Sequence, residues 1–277
     1  MKQLIVNGDD FGRSPGINQG ILDSHLNGIL TSTTVMINFD DAPVGLERAL
    51  TEAPDLGIGL HLNLTEGIPV SSVPTLVDER GQFFPVGEWL TRFDRIDADD
   101  LRREICAQFE RFVSLTGHVP DHLDAHHHIT YLHPVALDVM LTIAEEHHLP
   151  LRNGNLTLPP DEAMSIFKGM FPTVPEQVGS MVYDALQSVL AQHPAPFWPA
   201  RFETGFFDVR ATLGDLLVIL TTLPEDSITE IMCHPRHADN PGDIWGTQEV
   251  LHLTHRATLE CVKAEGIQLI RFGDIQL

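Results

Sequence analysis

The run His122-Leu123-Asp124-Ala125-His126-His127-His128 gathers metal-ligand chemistry into seven residues. An extended backbone sends alternate side chains to opposite faces. Asp124, His126 and His128 then share one face, with Leu123, Ala125 and His127 on the other. Burying a carboxylate and two imidazoles without partners is costly or shifts their pKa values. The same groups are the usual oxygen and nitrogen ligands of divalent metals. A purification tag sits at a terminus, whereas this run is internal.

Four other places carry chemistry. The adjacent acids Asp9-Asp10 cannot both face inward from an extended strand, but at a turn they can. There, one could bind a metal while its neighbour acts as a base; alternatively, both belong to a solvated turn before the helix that starts near Ser14. His61 shares a strand face with Gly57, Gly59 and Asn63, and glycines beside it imply close approach to the backbone. Arg152 either stabilises negative charge in a site or forms a structural ion pair. His234 precedes Pro235 at the end of an apolar run. Cys233 beside it reads as buried packing.

The elements that must position these groups alternate. Apolar strand-like runs cover 3–7, 29–37, 57–64, the segment around 122–128, 149–153, 228–233 and 267–272. Helical spacing covers 17–26, 42–53, 99–116, 134–148, 181–192, 211–223 and 247–265, and 201–207 fits neither pattern. Pro- and Gly-rich excursions interrupt at about 65–98 and 154–180, and long loops in compact domains are usually functional. The expectation is one α/β domain spanning 1–277 with parallel strands. The polar residues fall where strands hand over to helices, and in a (β/α) barrel those ends converge on one mouth. A flat sheet would spread them.

Composition narrows the function. The chain has 277 residues, 17 Lys+Arg against 39 Asp+Glu, and a formal charge of -22. Such a field disfavours nucleic acid. No run approaches the length of a membrane span, no secretory leader is apparent, and three dispersed cysteines suggest no disulfide framework. A cytoplasmic protein with a small-molecule substrate, and neither nucleic acid nor membrane as partner, is expected.

Taken in order, Asn7-Gly8-Asp9-Asp10-Phe11-Gly12, Gly28-Ile29-Leu30-Thr31-Ser32-Thr33-Thr34, Gly59-Leu60-His61-Leu62-Asn63, the His122–His128 run and Cys233-His234-Pro235 resemble the YdjC-like carbohydrate deacetylases. That family includes chitooligosaccharide deacetylases and hopanoid-associated members. The resemblance implies an incomplete or irregular TIM-like (β/α) barrel of the glycoside hydrolase/deacetylase type, with about seven parallel strands. It implies one divalent metal ion, Mg2+ or Zn2+, held by Asp10, His61 and His126, with Asp9 as catalytic base and His234 as general acid. Asp124, His128, Arg152 and Asn63 would orient ligands or touch substrate. The reaction would be hydrolysis of the N-acetyl group of an amino sugar or short chitooligosaccharide by a homodimer. Trp89, Tyr131 and Trp245 are candidates for stacking on sugar rings. Another metal-dependent barrel hydrolase, with a phosphoester, hopanoid-linked or other amide substrate, would use the same residues, and a non-catalytic sugar-binding protein is a further alternative.

Overall fold

The computed structural model describes residues 1–275 except 155, 157, 171–175 and 241–245. Its centre is a parallel sheet of seven strands: β1 (Lys2–Phe11), β2 (Ser32–Val35), β3 (Gly57–Leu62), β4 (Leu123–Ala125), β5 (Arg201–Glu203), β6 (Ser227–Cys233) and β7 (Gln268–Leu269). The order is β4-β3-β2-β1-β6-β5. β7 pairs with Gln3 and Leu4 of β1, below the stretch of β1 that takes β2.

The sheet is curled. Beyond β4, Leu123 N donates to Pro150 O, Arg152 N donates to Leu123 O, and Leu151 N donates to Phe197 O. Phe197 lies just before β5, so these bonds join the two ends of the strand path and bring the interior faces together. The result is the irregular seven-stranded half-barrel that the family resemblance implies.

Helices α1 (Pro15–Leu26), α2 (Ala42–Glu52), α3 (Val86–Thr91), α4 (Ala98–Thr116), α5 (Pro134–His147), α6 (Pro160–Met170), α7 (Glu176–Leu190), α8 (Leu213–Thr221), α9 (Thr247–Leu253) and α10 (Arg256–Ala264) surround the sheet, with short 3-10 turns between. Ser14 caps α1, its hydroxyl accepting from Ile17 N, and Pro15 opens the helix. The single helix expected over 247–265 is two, because the His255 ring accepts from Ala257 N and caps a new start.

The second excursion, read from its prolines and glycines as irregular to residue 180, contains α6 and the first residues of α7. The first is a fixed loop. One face of α4 carries Asp100, Glu104 and Gln108, four residues apart. Asp100 accepts from Thr75, Glu104 accepts from Val70 N and Ser71 N, and Gln108 bonds both Asn63 N and Asn63 O.

The barrel interior is layered. In the lower layer Gly59 makes room for His122, whose ring a Cβ would approach to 2.4 Å. The close approach signalled by the glycines around His61 is therefore that of a protein side chain. Above it, Asp9, His61, Asp124, Arg152 and Glu230 project inward from five segments.

Candidate metal centre

Asp9 and Asp10 both reach the interior because β1 is bulged. Gly8 pairs with Thr33 and Phe11 with Val35, so β1 carries one extra residue. Asp10 absorbs it at φ 69, a left-handed conformation that Asp tolerates better than most residues. Non-glycine residues held there often mark functional positions.

Asp10 Oδ1 lies 3.4 Å from His61 Nε2 and 3.0 Å from His126 Nδ1. The three residues offer donor atoms all within 4.8 Å of one another, and all three are buried. Asp10 Oδ1 is itself buried and makes no hydrogen bond. Each imidazole is held from behind by a carboxylate: His61 Nδ1 is 2.6 Å from Asp124 Oδ1, and His126 Nε2 is 3.1 Å from Glu66 Oε2. Metal-ligating histidines almost always have such a partner. Two ring nitrogens converging on an orphaned carboxylate oxygen fit a divalent cation, and three protein donors leave further positions open.

The electrostatics fit as well. Burial opposes charge on His61, but Asp124 and Asp10 outweigh it and raise its pKa to about 10. His126 is raised similarly, against burial, by Asp10 and Glu66. Asp10 is held well below the carboxylate range despite its burial, chiefly by His126 and His61. Positive charge is thus favoured at the point where the donors meet.

Beside this centre Arg152, fully buried, is bracketed by carboxylates. Its NH1 and NH2 each lie 2.7 Å from an oxygen of Asp9, NH1 is also 2.8 Å from Asp124 Oδ2, and Nε donates to Glu230 at 2.7 Å. This bidentate grip outweighs burial and holds Asp9 far below its ordinary pKa. Asp9 Oδ1 also accepts from Asn7 Nδ2 at 2.9 Å. Oδ2 receives one of these bonds and lies 4.0 Å from His234 Nε2. His234 Nδ1 is buried without a hydrogen bond, and burial lowers the ring's pKa against the pull of Asp9 and Asp10.

Of the residues singled out in the sequence, Asp9, Asp10, His61, Asp124, His126, Arg152 and His234 meet at one mouth. Asn63 is fully buried and holds the loop that follows: its Oδ1 accepts from Thr65 N and Glu66 N. His128 does not keep the strand phase. β4 ends at Ala125, and His127 and His128 both have positive φ, near 52° and 54°. The turn puts His128 against Phe202 and Tyr131 rather than in line with Asp124 and His126. His127 lies against His126, ring centroids 3.9 Å apart, and lines the cavity. Trp89 is fully buried against Phe93 and His133, which rules out sugar stacking there. Tyr131 lines the cavity and donates to Arg152 O, while Trp245 lies outside the described residues.

Sequence reasoning missed Arg13, Glu66 and Glu230. Arg13 pairs with Asp10 and Glu66. A charged residue in the middle of the apolar run Ile228–Cys233 was the available signal for Glu230. Glu66 carried none.

The cavity over these groups measures about 830 Å³, with Phe202, Phe207 and Met232 in its walls and Leu156, Phe167 and Leu186 beyond them. Among the described residues no helix is long and apolar enough to cross a membrane.

A chitooligosaccharide deacetylase of Proteus mirabilis is 40% identical over 283 residues, covering 98% of each chain. A carbohydrate deacetylase of Geobacillus stearothermophilus is 34% identical over 279 residues, covering 99% of this chain and 98% of the relative. The crystal structure of an Enterococcus faecalis protein proposed to cleave cellobiose phosphate superposes with a TM-score of 0.80 at 28% identity, over 100% of this chain and 99% of that one. The family pattern described as YdjC-like protein matches residues 3–264, and with relatives aligned across nearly their whole length the chain belongs to the YdjC-like family.

Proposed function

We propose that this protein is a metal-dependent deacetylase that hydrolyses the N-acetyl group of an amino sugar or short chitooligosaccharide, releasing acetate and a free amine. The observation that carries the reading is the pairing of a three-donor centre with a separate acid–base pair. Asp9 Oδ2 and His234 Nε2 lie 4.0 Å apart beside the donors Asp10, His61 and His126. A structural metal site would be closed by four protein ligands and would need neither group.

Asp10, His61 and His126 are the residues that would hold the cation. Two imidazoles and one carboxylate suit zinc better than magnesium, which prefers an all-oxygen octahedral shell. A cation at this point supplies Lewis acidity, polarising the acetyl carbonyl and acidifying water. Asp9 Oδ2 takes the proton from the attacking water, while Arg152 and Asn7 fix the carboxylate through Oδ1. His234 Nε2 delivers a proton to the departing amine. The Asp9 carboxylate nearby stabilises the charged form of His234 that this step needs. Asp124 and Glu66 keep the ligand rings in one orientation.

The relatives named carbohydrate and chitooligosaccharide deacetylases support the substrate class, and the cavity volume admits a small sugar. The proposal includes a homodimer, carried by the family resemblance alone, and a cytoplasmic location, expected from composition with few, dispersed cysteines. The test is acetate release from diacetylchitobiose by chelator-stripped protein and by the same protein reloaded with zinc or magnesium. Acetate that appears only on reloading supports the reading. A reloaded protein that binds metal and releases none removes this substrate class.

A further inference from the structure

We infer that Glu230 is a positioning residue for the reaction: it anchors Arg152 at Nε, and through Arg152 it fixes the aim of the Asp9 carboxylate. The inference rests on the proposed role of Asp9 as base.

Glu230 sits in the middle of β6, fully buried, on the face that also carries Met232 and His234. Its Oε1 accepts from Arg152 Nε at 2.7 Å, and its Oε2 is buried with no hydrogen-bond partner. Buried carboxylates are rare and costly unless they are paired, so half of this group is left uncompensated. Burial lifts its carboxyl to about 7, with Arg152 opposing and Asp124 and Asp9 adding to the rise. An apolar residue would be better tolerated here if packing were the only demand.

The geometry of the guanidinium supplies the demand. NH1 and NH2 are committed to Asp9, and NH1 also to Asp124. Nε is the remaining handle, and Glu230 holds it. Phe202 adds a face contact, with its centroid 5.0 Å from Cζ. Without Glu230 the guanidinium keeps its terminal contacts with Asp9 and Asp124 but loses the bond that fixes its Nε edge, so its plane can tilt and shift Asp9 Oδ2 with it. Asp124 orients His61, so the same guanidinium ties the base to a ligand. A misplacement of about 1 Å in a reacting group can cost roughly 100-fold in rate.

The test compares E230A with E230Q. Glutamine keeps an oxygen acceptor for Nε and alanine does not. E230A is expected to lose about 100-fold in kcat for acetate release, with KM and metal content unchanged, and E230Q to recover to within about tenfold of the parent protein. Equal losses in both variants, or a kcat in E230A equal to that of the parent, would overturn the inference. A double-variant cycle of E230A with D9N, read as thermal unfolding midpoints, needs no substrate. Coupling through Arg152 makes the double variant lose less than the sum of the singles. Strict additivity overturns the inference even if the parent protein releases no acetate, an outcome that would count against the proposed function instead.

Discussion

Replacing Arg152 by methionine tests the electrostatic core of the site. Methionine keeps most of the length and removes the charge. Arg152 is fully buried and makes four carboxylate contacts of 2.7–2.8 Å, with Asp9, Asp124 and Glu230. Breaking a buried charge pair costs about 3–5 kcal/mol, because the partner is left unpaired. Native stabilities are about 5–15 kcal/mol, so the variant should fold but sit near its limit. At about 2–4 °C per kcal/mol for a chain of this order of size, the unfolding midpoint should fall by about 6–20 °C.

The pH dependence gives the sharper reading. In the parent protein the native pKa of Asp9 lies below its unfolded value, so Asp9 contributes stability above about pH 4 that is lost as the pH falls. Without the guanidinium, burial acts on Asp9 and Glu230 with its main opponent gone, and it raises their native pKa values. The native state then binds more protons than the unfolded chain, and stability is lost as the pH rises past about 4. The deficit of R152M should therefore be small at pH 5 and large at pH 8. Asp9 then binds a proton more readily and loses the grip that aims it, and losing a general base in this way should lower kcat by about 10²–10⁴-fold. Differential scanning fluorimetry at pH 5, 6.5 and 8, with acetate release alongside, reads both effects. A deficit equal at all three values, or greatest at pH 5, would refute the reasoning.

Other substitutions separate the roles within the site. D9N should retain stoichiometric metal by elemental analysis yet lose at least about 100-fold in turnover; loss of metal would move Asp9 among the ligands. H126A should lose metal, whereas E66Q, which leaves the ring in place with a weaker partner, should weaken metal affinity by about 10–100-fold in a chelator competition titration. Normal metal content in H126A would sink the ligand assignment. H234A should slow release from an N-acetyl amide far more than from an activated acetate ester, whose leaving group needs no proton. Equal losses on both would argue against the acid role. The apparent metal affinity should rise with pH, because the cation must displace a proton from His61, held up to about 10. Calorimetric titrations at pH 6 and pH 8 giving equal affinities would contradict this linkage.

How much of this was legible in the sequence depended on how local each cause was. Strand–helix alternation and polar strand ends gave the barrel, because both are written in period and punctuation. The ligand and acid–base candidates came from ordered motifs, and they do meet at one mouth. His128 lies off the expected strand face, though it still lines the cavity, because period-two reasoning assumes an unbroken strand. Two consecutive residues at positive φ end that assumption at Ala125. The helices inside the second excursion were hidden by prolines and glycines, although Gly169 and Gly179 lie within α6 and α7. Pro160 is the first residue of α6.

Glu66 and Glu230 were illegible for a different reason. Their partners lie 60 and 78 residues away in sequence. Glu66 meets His126 only because Asn63 folds the chain back and α4 pins the loop through Glu104 and Gln108. Glu230 meets Arg152 only because the sheet curls far enough to set β6 opposite the segment after β4. Neither condition is a property of a short window. The bulge at Asp10 is the intermediate case: two adjacent acids state that a turn is needed, and the register shift between Gly8 and Phe11 supplies it. A charged residue inside an apolar strand, such as Glu230, therefore calls for a buried counter-charge before it is read as an edge or a register error. In this chain the buried candidate was Arg152, and the curl of the sheet is what joins the two.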